Sequence, residues 1–292
     1  MIRVKVPATS ANVGPGFDSL GIALDLYNFV EMQECERIVV ESDAAVPTDE
    51  NNLIVKTAQK LYEHCGRRFT GIHIRQENHV PMTRGLGSSS TCIAAGVLGA
   101  NRLLGDPLSP QEALDFAVAL EGHPDNVAPA ILGGFVVSAL EDGHVSCCKA
   151  ALPDTLSFVG FIPDFMLSTA KARAALPKQI AHRDAVYNLS RAALMTAALL
   201  TGRHELIRTA IGDALHQPYR LPLIAGGEEV FRLSRELGAL GTYISGAGPT
   251  IMSMVDKRDE SFYNSAVDYI DKNLPNYRVL RFHVDNTGTQ IL

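Results

Sequence analysis

Residues 81–90 read Pro81-Met82-Thr83-Arg84-Gly85-Leu86-Gly87-Ser88-Ser89-Ser90. They follow a segment of alternating polarity and precede an apolar run, rich in Ala and Gly, that ends near Leu104. This order predicts a strand, a glycine-rich turn and a helix that begins at the serines. Glycines let backbone N–H groups turn inward, and a helix N-terminus carries partial positive charge, so the segment suits a phosphate group. A capped helix with a tight entry would use the same residues, because serine is a favoured N-cap.

The glycine-rich segment does not match the two commonest nucleotide-binding motifs. A Walker A loop ends in Gly-Lys-Ser/Thr, and residues 81–90 contain no lysine. The dinucleotide fingerprint requires a third glycine at position 90, which is serine, and an all-parallel sheet. The sequence therefore predicts a phosphate loop of a less common type.

A second polar segment, Glu121-Gly122-His123-Pro124-Asp125-Asn126, follows a predicted helix. Glu121 could complete the ligand shell of a Mg²⁺ ion together with a loop serine and substrate phosphates, since Mg²⁺ prefers such oxygen ligands. Alternatively, Glu121 and Gly122 could end one helix while Asp125 caps the next, and capping is the interpretation that we favour for Asp125. A histidine such as His123 is more often a hydrogen-bonded structural residue than an acid or base.

Two further turns are dense in Gly, Pro and small polar residues. The first lies near the N-terminus and reads Pro7-Ala8-Thr9-Ser10-Ala11-Asn12-Val13-Gly14-Pro15-Gly16-Phe17-Asp18. The second, Gly246-Ala247-Gly248-Pro249-Thr250, lies between two predicted strands. By itself the second segment would be interpreted as a simple hairpin turn.

The composition is that of an ordinary globular protein. The 292 residues include 26 Lys and Arg against 32 Asp and Glu, a net charge of −6, and 46% are hydrophobic. The acidic balance argues against nucleic acid as a partner, because phosphate backbones require a basic stripe. The five cysteines give neither a disulfide framework nor a zinc motif. The apolar run at 192–200 is too short to span a bilayer and no signal-like segment is evident, so we expect a cytoplasmic protein without a membrane partner.

Hydrophobic periodicity predicts an α+β protein in two halves. Strands are predicted at 2–6, 22–32, 37–41, 71–76, 133–140, 144–149, 156–162, 241–245, 251–255 and 278–284. Helices are predicted at 52–65, 88–104, 109–120, 178–201, 204–215, 222–238 and 259–273, and Ser109 with Glu112 has the spacing of a capping box. Strands and helices do not alternate strictly, and the pattern changes past about residue 150.

The glycine-rich segments, in this order, resemble the three motifs of the GHMP superfamily of small-metabolite kinases (galactokinase, homoserine kinase, mevalonate kinase and phosphomevalonate kinase). Here the motifs begin at residues 7, 81 and 245, so the resemblance covers essentially the whole chain. Four segments, 12–18, 123–129, 168–177 and 215–220, look like the homoserine kinase branch in particular. The resemblance implies a two-domain GHMP-kinase fold. Its N-terminal ribosomal-protein-S5-like α/β domain would span residues 1–153, and its C-terminal ferredoxin-like α+β domain would span residues 154–292.

The resemblance also implies ATP and Mg²⁺ and assigns residues to them. The residues that it implies for ATP binding are Asn52, Val55, Pro81, Met82, Thr83, Arg84, Gly85, Leu86, Gly87, Ser88, Ser89 and Ser90. Mg²⁺ would be held by Ser89 and Glu121, although alanine is common in relatives where this chain has Ser90, which leaves open which serine meets the metal. The residues implied for the amino-acid substrate are Asn12, Asp18, His123, Asn126, Arg173, Arg220, Gly246, Ala247 and Gly248. Two guanidinium groups suit a carboxylate, because each pairs with it bidentately.

The implied activity is ATP-dependent phosphorylation of the hydroxyl of L-homoserine, a step of threonine synthesis. Asp18, Glu121 and Ser89 would form the catalytic group, with Asp18 orienting the hydroxyl first and acting as a base second. The alternatives are a sibling kinase of the mevalonate or sugar type and a catalytically silent relative that binds a metabolite. ATP and homoserine would be the partners, and a homodimer is a family-level expectation.

Overall fold

The computed structural model describes all residues from Met1 to Leu292, in eleven strands and ten α-helices. The strands are β1 (Ile2–Ala11), β2 (Leu20–Glu34), β3 (Val39–Ser42), β4 (Ile72–Glu77), β5 (Phe135–Glu141), β6 (His144–Ala150), β7 (Leu156–Pro163), β8 (Gly241–Ile244), β9 (Ile251–Asp256), β10 (Tyr277–Phe282) and β11 (Gln290–Ile291). The helices are α1 (Leu53–His64), α2 (Ser88–Leu103), α3 (Pro110–Glu121), α4 (Pro124–Leu132), α5 (Thr169–Ala174), α6 (His182–Thr201), α7 (Ile207–Ala210), α8 (Gln217–Arg220), α9 (Gly227–Glu236) and α10 (Glu260–Asn273).

The strands form two separate sheets. The larger sheet has the order β11-β1-β2-β4-β3, and β5 and β6 extend it from the other end of β2. Strand β2 is long enough, at 15 residues, to pair with β5 near Leu20 and with β4 near Phe29. The register of β1 shifts between Pro7 and Ala8, where proline cannot donate a ladder hydrogen bond. Helices α2 and α4 pack on β1 and β2.

The second sheet is antiparallel throughout, in the order β10-β7-β9-β8. Every residue of β7 is buried, which fits its central position and its continuous apolar sequence. Helix α9 packs on β8 and β9, and α10 packs on β10. A hydrophobic cluster joins the two sheets, because Ile22 and Leu86 from the first half share it with Phe158 and Met252 from the second. The loops at this junction form the cleft described below.

Most predicted elements are confirmed. The capping box at the start of α3 is present, because Ser109 and Glu112 each accept from the other's backbone N–H. The predicted helix at 204–215 is confirmed only up to Ala210: a 3₁₀ turn and the short α7 stand there, and the chain then bends at residues 214–216. The predicted helix at 222–238 begins only at Gly227, because a 3₁₀ turn that contains Pro222 precedes it. Strand β1 continues through residues 9–11, which were expected to be loop, because they pair with β2.

Four short elements, α4, α5, α8 and β11, escape prediction from periodicity. Strand β11 returns the C-terminus to the first sheet, where Ile291 pairs with Val4. The division of the chain at residue 153 stays a prediction; the first sheet draws on residues 2–150 and 290–291, and the second on residues 156–282. None of the helices combines the length and the apolar character needed to cross a membrane.

Candidate active site

A cleft of about 360 Å³ opens between the two halves and collects residues from eight separate parts of the chain. The sequence-predicted residues that line it are Asn12, Asp18, Asn52, Met82, Thr83, Gly85, Gly87, Ser88, Ser89, Ser90, Glu121, His123, Asn126, Arg173, Arg220, Gly246, Ala247 and Gly248. Four residues expected at the nucleotide do not line it. Val55 and Leu86 are fully buried in the hydrophobic core, whereas Pro81 and Arg84 line a neighbouring cavity.

Residues 83–90 are here called the phosphate loop, and the carbonyl groups of residues 83–86 are all hydrogen-bonded within the protein. Each accepts one hydrogen bond from outside the loop: Thr83 O from Leu167 N (3.4 Å), Arg84 O from Thr250 N (3.2 Å), Gly85 O from Ser245 Oγ (2.6 Å) and Leu86 O from Thr9 N (3.1 Å). Helix α2 then starts at Ser88, and no side chain caps its first turn. The N–H groups of that turn are therefore left to a ligand in the cleft, which is how helix N-termini bind anions.

Gly85 and Gly87 allow this arrangement because both have positive φ, +77° and +71°. A Cβ on Gly87 would lie 1.9 Å from Thr9 Oγ1, and a Cβ on Gly85 would lie 2.4 Å from Ser245 O. The glycines therefore meet two requirements at once, a left-handed turn and close backbone packing.

Glu121 lies across the loop from the start of α2. Its Oε1 accepts hydrogen bonds from Ser89 Oγ (2.7 Å) and Ser90 Oγ (3.0 Å), while Ser88 takes no part. Glu121 forms no ion pair, so its negative charge is uncompensated beside the proposed phosphate position. A carboxylate, two hydroxyls and incoming phosphate oxygens are the hard oxygen donors that Mg²⁺ accepts, and the residues present therefore fit this ion.

The same cleft also holds Asp18 and Arg173, which form a two-pronged ion pair. Arg173 Nη2 donates to Asp18 Oδ1 (2.8 Å) and Nη1 donates to Oδ2 (3.0 Å). The sequence suggested that both residues face the substrate but did not suggest that they bind each other. Asn12 supports Asp18, because its Oδ1 accepts from Asp18 N (3.0 Å) while its Nδ2 donates to Gly246 O (2.8 Å).

Arg220 is only 2% exposed, so burial lowers the pKa of its guanidinium first and repulsion by Arg173 lowers it further. Its Nη1 donates to Gly246 O (2.9 Å), and its buried Nε has no partner. Both guanidinium groups lie near the ring of Phe17, whose centroid is 5.1 Å from Arg220 Cζ and 5.5 Å from Arg173 Cζ. A buried guanidinium with an unused N–H beside the cleft is suited to a carboxylate ligand.

His216, which the sequence analysis did not single out, ties Arg220 to the N-terminal turn. Its Nε2–H donates to Gly14 O (2.8 Å), and its Nδ1 accepts from Arg220 Nη1 (3.4 Å). Asp213 fixes the backbone beneath it by accepting from the N–H groups of residues 215–217. Burial lowers the pKa of His216, the charge of Asp213 opposing it only in part, so the ring stays neutral and keeps both bonds. In the sequence, Asp213, His216 and Arg220 are three and four residues apart, as on one face of a helix. This spacing was the signal that could have linked His216 to Arg220.

Asp125 does not cap α4, contrary to the sequence interpretation. The N-cap is His123, and Asp125 lies in the first turn, where its Oδ1 accepts from His123 Nδ1 at 2.5 Å. Burial lowers the pKa of His123, but the hydrogen bond and charge of Asp125 outweigh it and raise the pKa overall. A carboxylate oxygen of Asp18 also lies within 4.8 Å of the His123 and Asp125 side-chain atoms, so the three groups have the spacing of metal ligands. Each of them already has a hydrogen-bond partner in the protein, and these hydrogen bonds account for their closeness. Asn126 accepts from Thr9 Oγ1 (2.8 Å) under Gly87.

Asn52 is placed by a local rule that the sequence contained. Its Oδ1 caps α1 by accepting from Ile54 N (2.9 Å), and its Nδ2 donates to Gln76 Oε1 (2.8 Å). Asparagine before an apolar periodic run is an N-cap signature. The cleft residues that sequence reasoning missed are Val46, Pro47, Asn51, Leu53, Gln76, Cys92, Asp125, Leu167 and Thr169. Four of them, Val46, Pro47, Asn51 and Leu167, lie in loops, and the other five lie in helices or in β4.

Comparison with known proteins identifies the family of the chain. Residues 52–134 match the family model of the GHMP kinases N terminal domain, and residues 195–266 match that of the GHMP kinases C terminal. A homoserine kinase of Clostridium beijerinckii is 47% identical over 100% of this chain and 99% of its own length. The chain belongs to the homoserine kinase family of the GHMP kinases. It therefore has the two-domain GHMP-kinase fold that the motifs predicted.

Two solved structures extend the likeness within the homoserine kinase family. The homoserine kinase of Cytophaga hutchinsonii superposes with a TM-score of 0.87 at 31% identity, covering 100% of this chain and 97% of that one. A putative homoserine kinase of Listeria monocytogenes gives 0.83 at 32% identity, covering 100% and 99%. The two matched domain ranges carry the phosphate loop, Glu121 and Arg220. Asn12, Asp18 and Arg173 lie outside both ranges but inside the full-length matches.

Proposed function

We propose that the protein is an ATP-dependent homoserine kinase, which transfers the γ-phosphoryl group of ATP to the hydroxyl of L-homoserine and forms O-phospho-L-homoserine on the route to threonine. The observation that carries this proposal is that one cleft holds two kinds of site. One is an uncapped helix N-terminus, and the other is a carboxylate with two guanidinium groups. Full-length relatives named homoserine kinase, at 41–47% identity, support the same assignment.

ATP would lie with its phosphates on the N–H groups at the start of α2. The four anchored carbonyls keep these donors pre-oriented, so ATP binding does not have to reorganise the loop. Asn52, Met82 and Thr83 line the part of the cleft that would receive the nucleoside.

Ser89 and Glu121 would hold Mg²⁺ together with phosphate oxygens of ATP. Ser89 is exposed to the cleft whereas Ser90 is fully buried, and this difference favours Ser89 as the metal-binding hydroxyl. When bound, the ion neutralises negative charge on the phosphates.

L-Homoserine is a zwitterion, and the Asp18–Arg173 pair is a match for its two charges. The substrate carboxylate would bind to Arg173 and to the unpaired Nε–H of Arg220, while the substrate's ammonium or hydroxyl group would bind to Asp18. Gly246, Ala247 and Gly248 close the pocket without side chains that would fill it. Asn12, Asn126 and His123 complete the polar wall.

Phosphoryl transfer depends on positioning and charge stabilisation more than on covalent chemistry by the enzyme. The loop N–H groups stabilise the charge on the transferred group while the homoserine hydroxyl attacks in line with the leaving oxygen of ADP. Asp18 orients that hydroxyl first and takes its proton second, because binding of the substrate carboxylate to Arg173 frees Asp18, whereas Asp125 stays bound to His123.

The test measures ADP release from Mg-ATP by the purified protein with L-homoserine, mevalonate, galactose and no acceptor in parallel. Release with homoserine alone is the expected result. Release with mevalonate or galactose would replace the proposal by a sibling kinase activity. ATP binding without release in any arm would identify a silent relative.

A further inference from the structure

Three buried hydroxyl groups connect the second sheet to the phosphate loop. Tyr243 OH lies 2.9 Å from Ser10 Oγ, Ser10 Oγ lies 2.8 Å from Ser245 Oγ, and Ser245 Oγ lies 2.6 Å from Gly85 O. All three side chains are fully buried, and none of them lines the cleft. The series joins β8, β1 and the turn after β8 to the loop proposed to bind ATP.

The direction of these hydrogen bonds is fixed by counting protons. A carbonyl oxygen only accepts, so Ser245 must use its single hydroxyl proton on Gly85 O. Ser10 must then donate to Ser245, and Tyr243 must donate to Ser10. Burial raises the pKa of Tyr243, which keeps its phenol protonated and able to donate.

The receiving carbonyl has little freedom to adjust. Gly85 packs so closely on the turn that a Cβ would lie 2.4 Å from Ser245 O and 2.9 Å from Gly248 O. The turn itself is braced, because Ser245 N donates to Thr250 O (2.9 Å) and Gly248 N donates to Ser245 O (2.9 Å). The Ser245 hydroxyl is therefore presented at a fixed position, and it determines where the Gly85 carbonyl points.

We propose that Tyr243, Ser10 and Ser245 form a one-way hydroxyl relay that holds the Gly85 carbonyl out of the cleft and so keeps the loop N–H groups ready for ATP. These are positioning residues, since none of them reaches the nucleotide. The inference rests on the proposed ATP-binding role of the loop. It assigns nucleotide affinity to a tyrosine three hydrogen bonds away from the loop.

The test is calorimetric binding of Mg-ATP, without homoserine, to the full-length protein and its variants. Ser245→Ala removes the donor to Gly85 O and is expected to weaken binding about five- to twentyfold. Tyr243→Phe keeps the ring and removes only the first hydroxyl, with an expected loss of about two- to fivefold. In the Ser245→Ala background, Tyr243→Phe is expected to cause no further loss, because the relay is already broken.

Ser253→Ala is the matched control. Ser253 is also fully buried in the second sheet, and its hydroxyl also has two hydrogen-bond partners, the hydroxyls Ser234 Oγ (2.9 Å) and Thr242 Oγ1 (3.0 Å). This variant is expected to lower the melting temperature while ATP affinity stays within about twofold of the parent. Melting curves for all variants separate loss of folding from loss of affinity.

Additive effects of Tyr243→Phe and Ser245→Ala, or equal losses of ATP affinity in Ser253→Ala and Ser245→Ala, would overturn the relay. ATP affinity unchanged in Ser245→Ala would do so as well, with Tyr243→Phe giving the answer if Ser245→Ala does not fold. Failure of the parent protein to bind Mg-ATP would instead overturn the proposed function, so the two failures are distinguishable.

Discussion

The guanidinium group of Arg173 and the carboxylate of Asp18 meet through two parallel hydrogen bonds, although 155 residues separate them in the chain. One residue comes from α5 in the second half and the other from the turn that follows β1. Their side chains are 38% and 34% exposed, so solvent screens the pair and it adds little to stability. Both residues line the cleft, and in the proposed function a zwitterionic substrate would separate their two charges.

Arg173→Lys keeps the positive charge but removes the planar fork that binds a carboxylate through two N–H groups. We expect the KM for homoserine to rise about tenfold and the KM for ATP to stay within about twofold. Steady-state kinetics with each substrate varied in turn provides the measurement. Arg232→Lys, an exposed residue paired with Glu236 on α9, is the control and should change neither constant. A rise in the KM for ATP alone would place Arg173 at the nucleotide instead.

Asp18→Asn removes the charge that balances Arg173 and the only carboxylate proposed to face the substrate hydroxyl. We expect kcat to fall at least about tenfold while the dissociation constant of Mg-ATP is unchanged. Single-turnover rates and calorimetry give the two values. Asp154→Asn, which breaks an exposed pair with Lys257, serves as the charge-matched control. Unchanged turnover in Asp18→Asn would remove Asp18 from the mechanism.

The sequence predicted the chemical segments better than their mutual contacts. Ser89 and Glu121 could be proposed as one metal site because a motif carries each of them, and they lie in hydrogen-bond contact. His216 could not be assigned a role, because its partner Gly14 O is a backbone atom 202 residues away, and no side-chain pattern encodes such a bond. The Asp18–Arg173 pair was missed because 155 residues separate the two in the chain.

Short elements limited the prediction of the fold. Helix α8 has only four residues, too few for hydrophobic periodicity, yet it carries Arg220 into the cleft. Asp125 was misassigned because helix α4 starts two residues earlier than expected, at Pro124, whose missing N–H suits the first turn.

Glu121→Gln keeps an acceptor for Ser89 and Ser90 and removes the uncompensated negative charge. We expect the Mg²⁺ concentration for half-maximal ADP release to rise at least about tenfold. The fold should survive, because Glu121 makes no ion pair. Glu112→Gln, at the opposite end of α3, retains a capping-box side chain and should leave the Mg²⁺ requirement unchanged. An unaltered Mg²⁺ titration for Glu121→Gln would exclude Glu121 as the metal ligand.

His216→Gln tests whether the buried imidazole of His216 stays neutral in the folded protein. Burial lowers the pKa of His216 below its ordinary value of about 6.5, so the unfolded chain binds more protons than the folded one below that pH. Stability therefore falls as the pH drops below about 6.5, by at most about 1.4 kcal/mol per pH unit from this group, until the folded pKa is passed. Above about pH 6.5 this group contributes no pH dependence.

Glutamine at position 216 can still donate to Gly14 O but does not titrate. Denaturant unfolding between pH 5 and pH 8 gives the free energy of unfolding of parent and variant. The parent's value should fall relative to the variant's below about pH 6.5, and the difference between the two should be constant above it. The other charged groups near the ring, Asp18, Asp213 and Arg220, are present in both proteins, so their titration largely cancels in the difference. A difference that does not change with pH would show that His216 titrates alike in the folded and unfolded chains.

Gly87→Ala tests whether the loop requires space as well as a left-handed turn. Gly87 (φ +71°) and Gly202 (φ +70°) have the same backbone conformation, so alanine at either position costs roughly 1–2 kcal/mol of conformational strain. Nothing lies within 4 Å of a Cβ at Gly202, whereas at Gly87 it would meet Thr9 Oγ1, which is bonded to Asn126. We expect both variants to melt at lower temperature, but only Gly87→Ala to weaken Mg-ATP binding, by more than about tenfold. Equal ATP affinity in the two variants would mean that the loop tolerates a side chain here and that its N–H groups are oriented by other contacts.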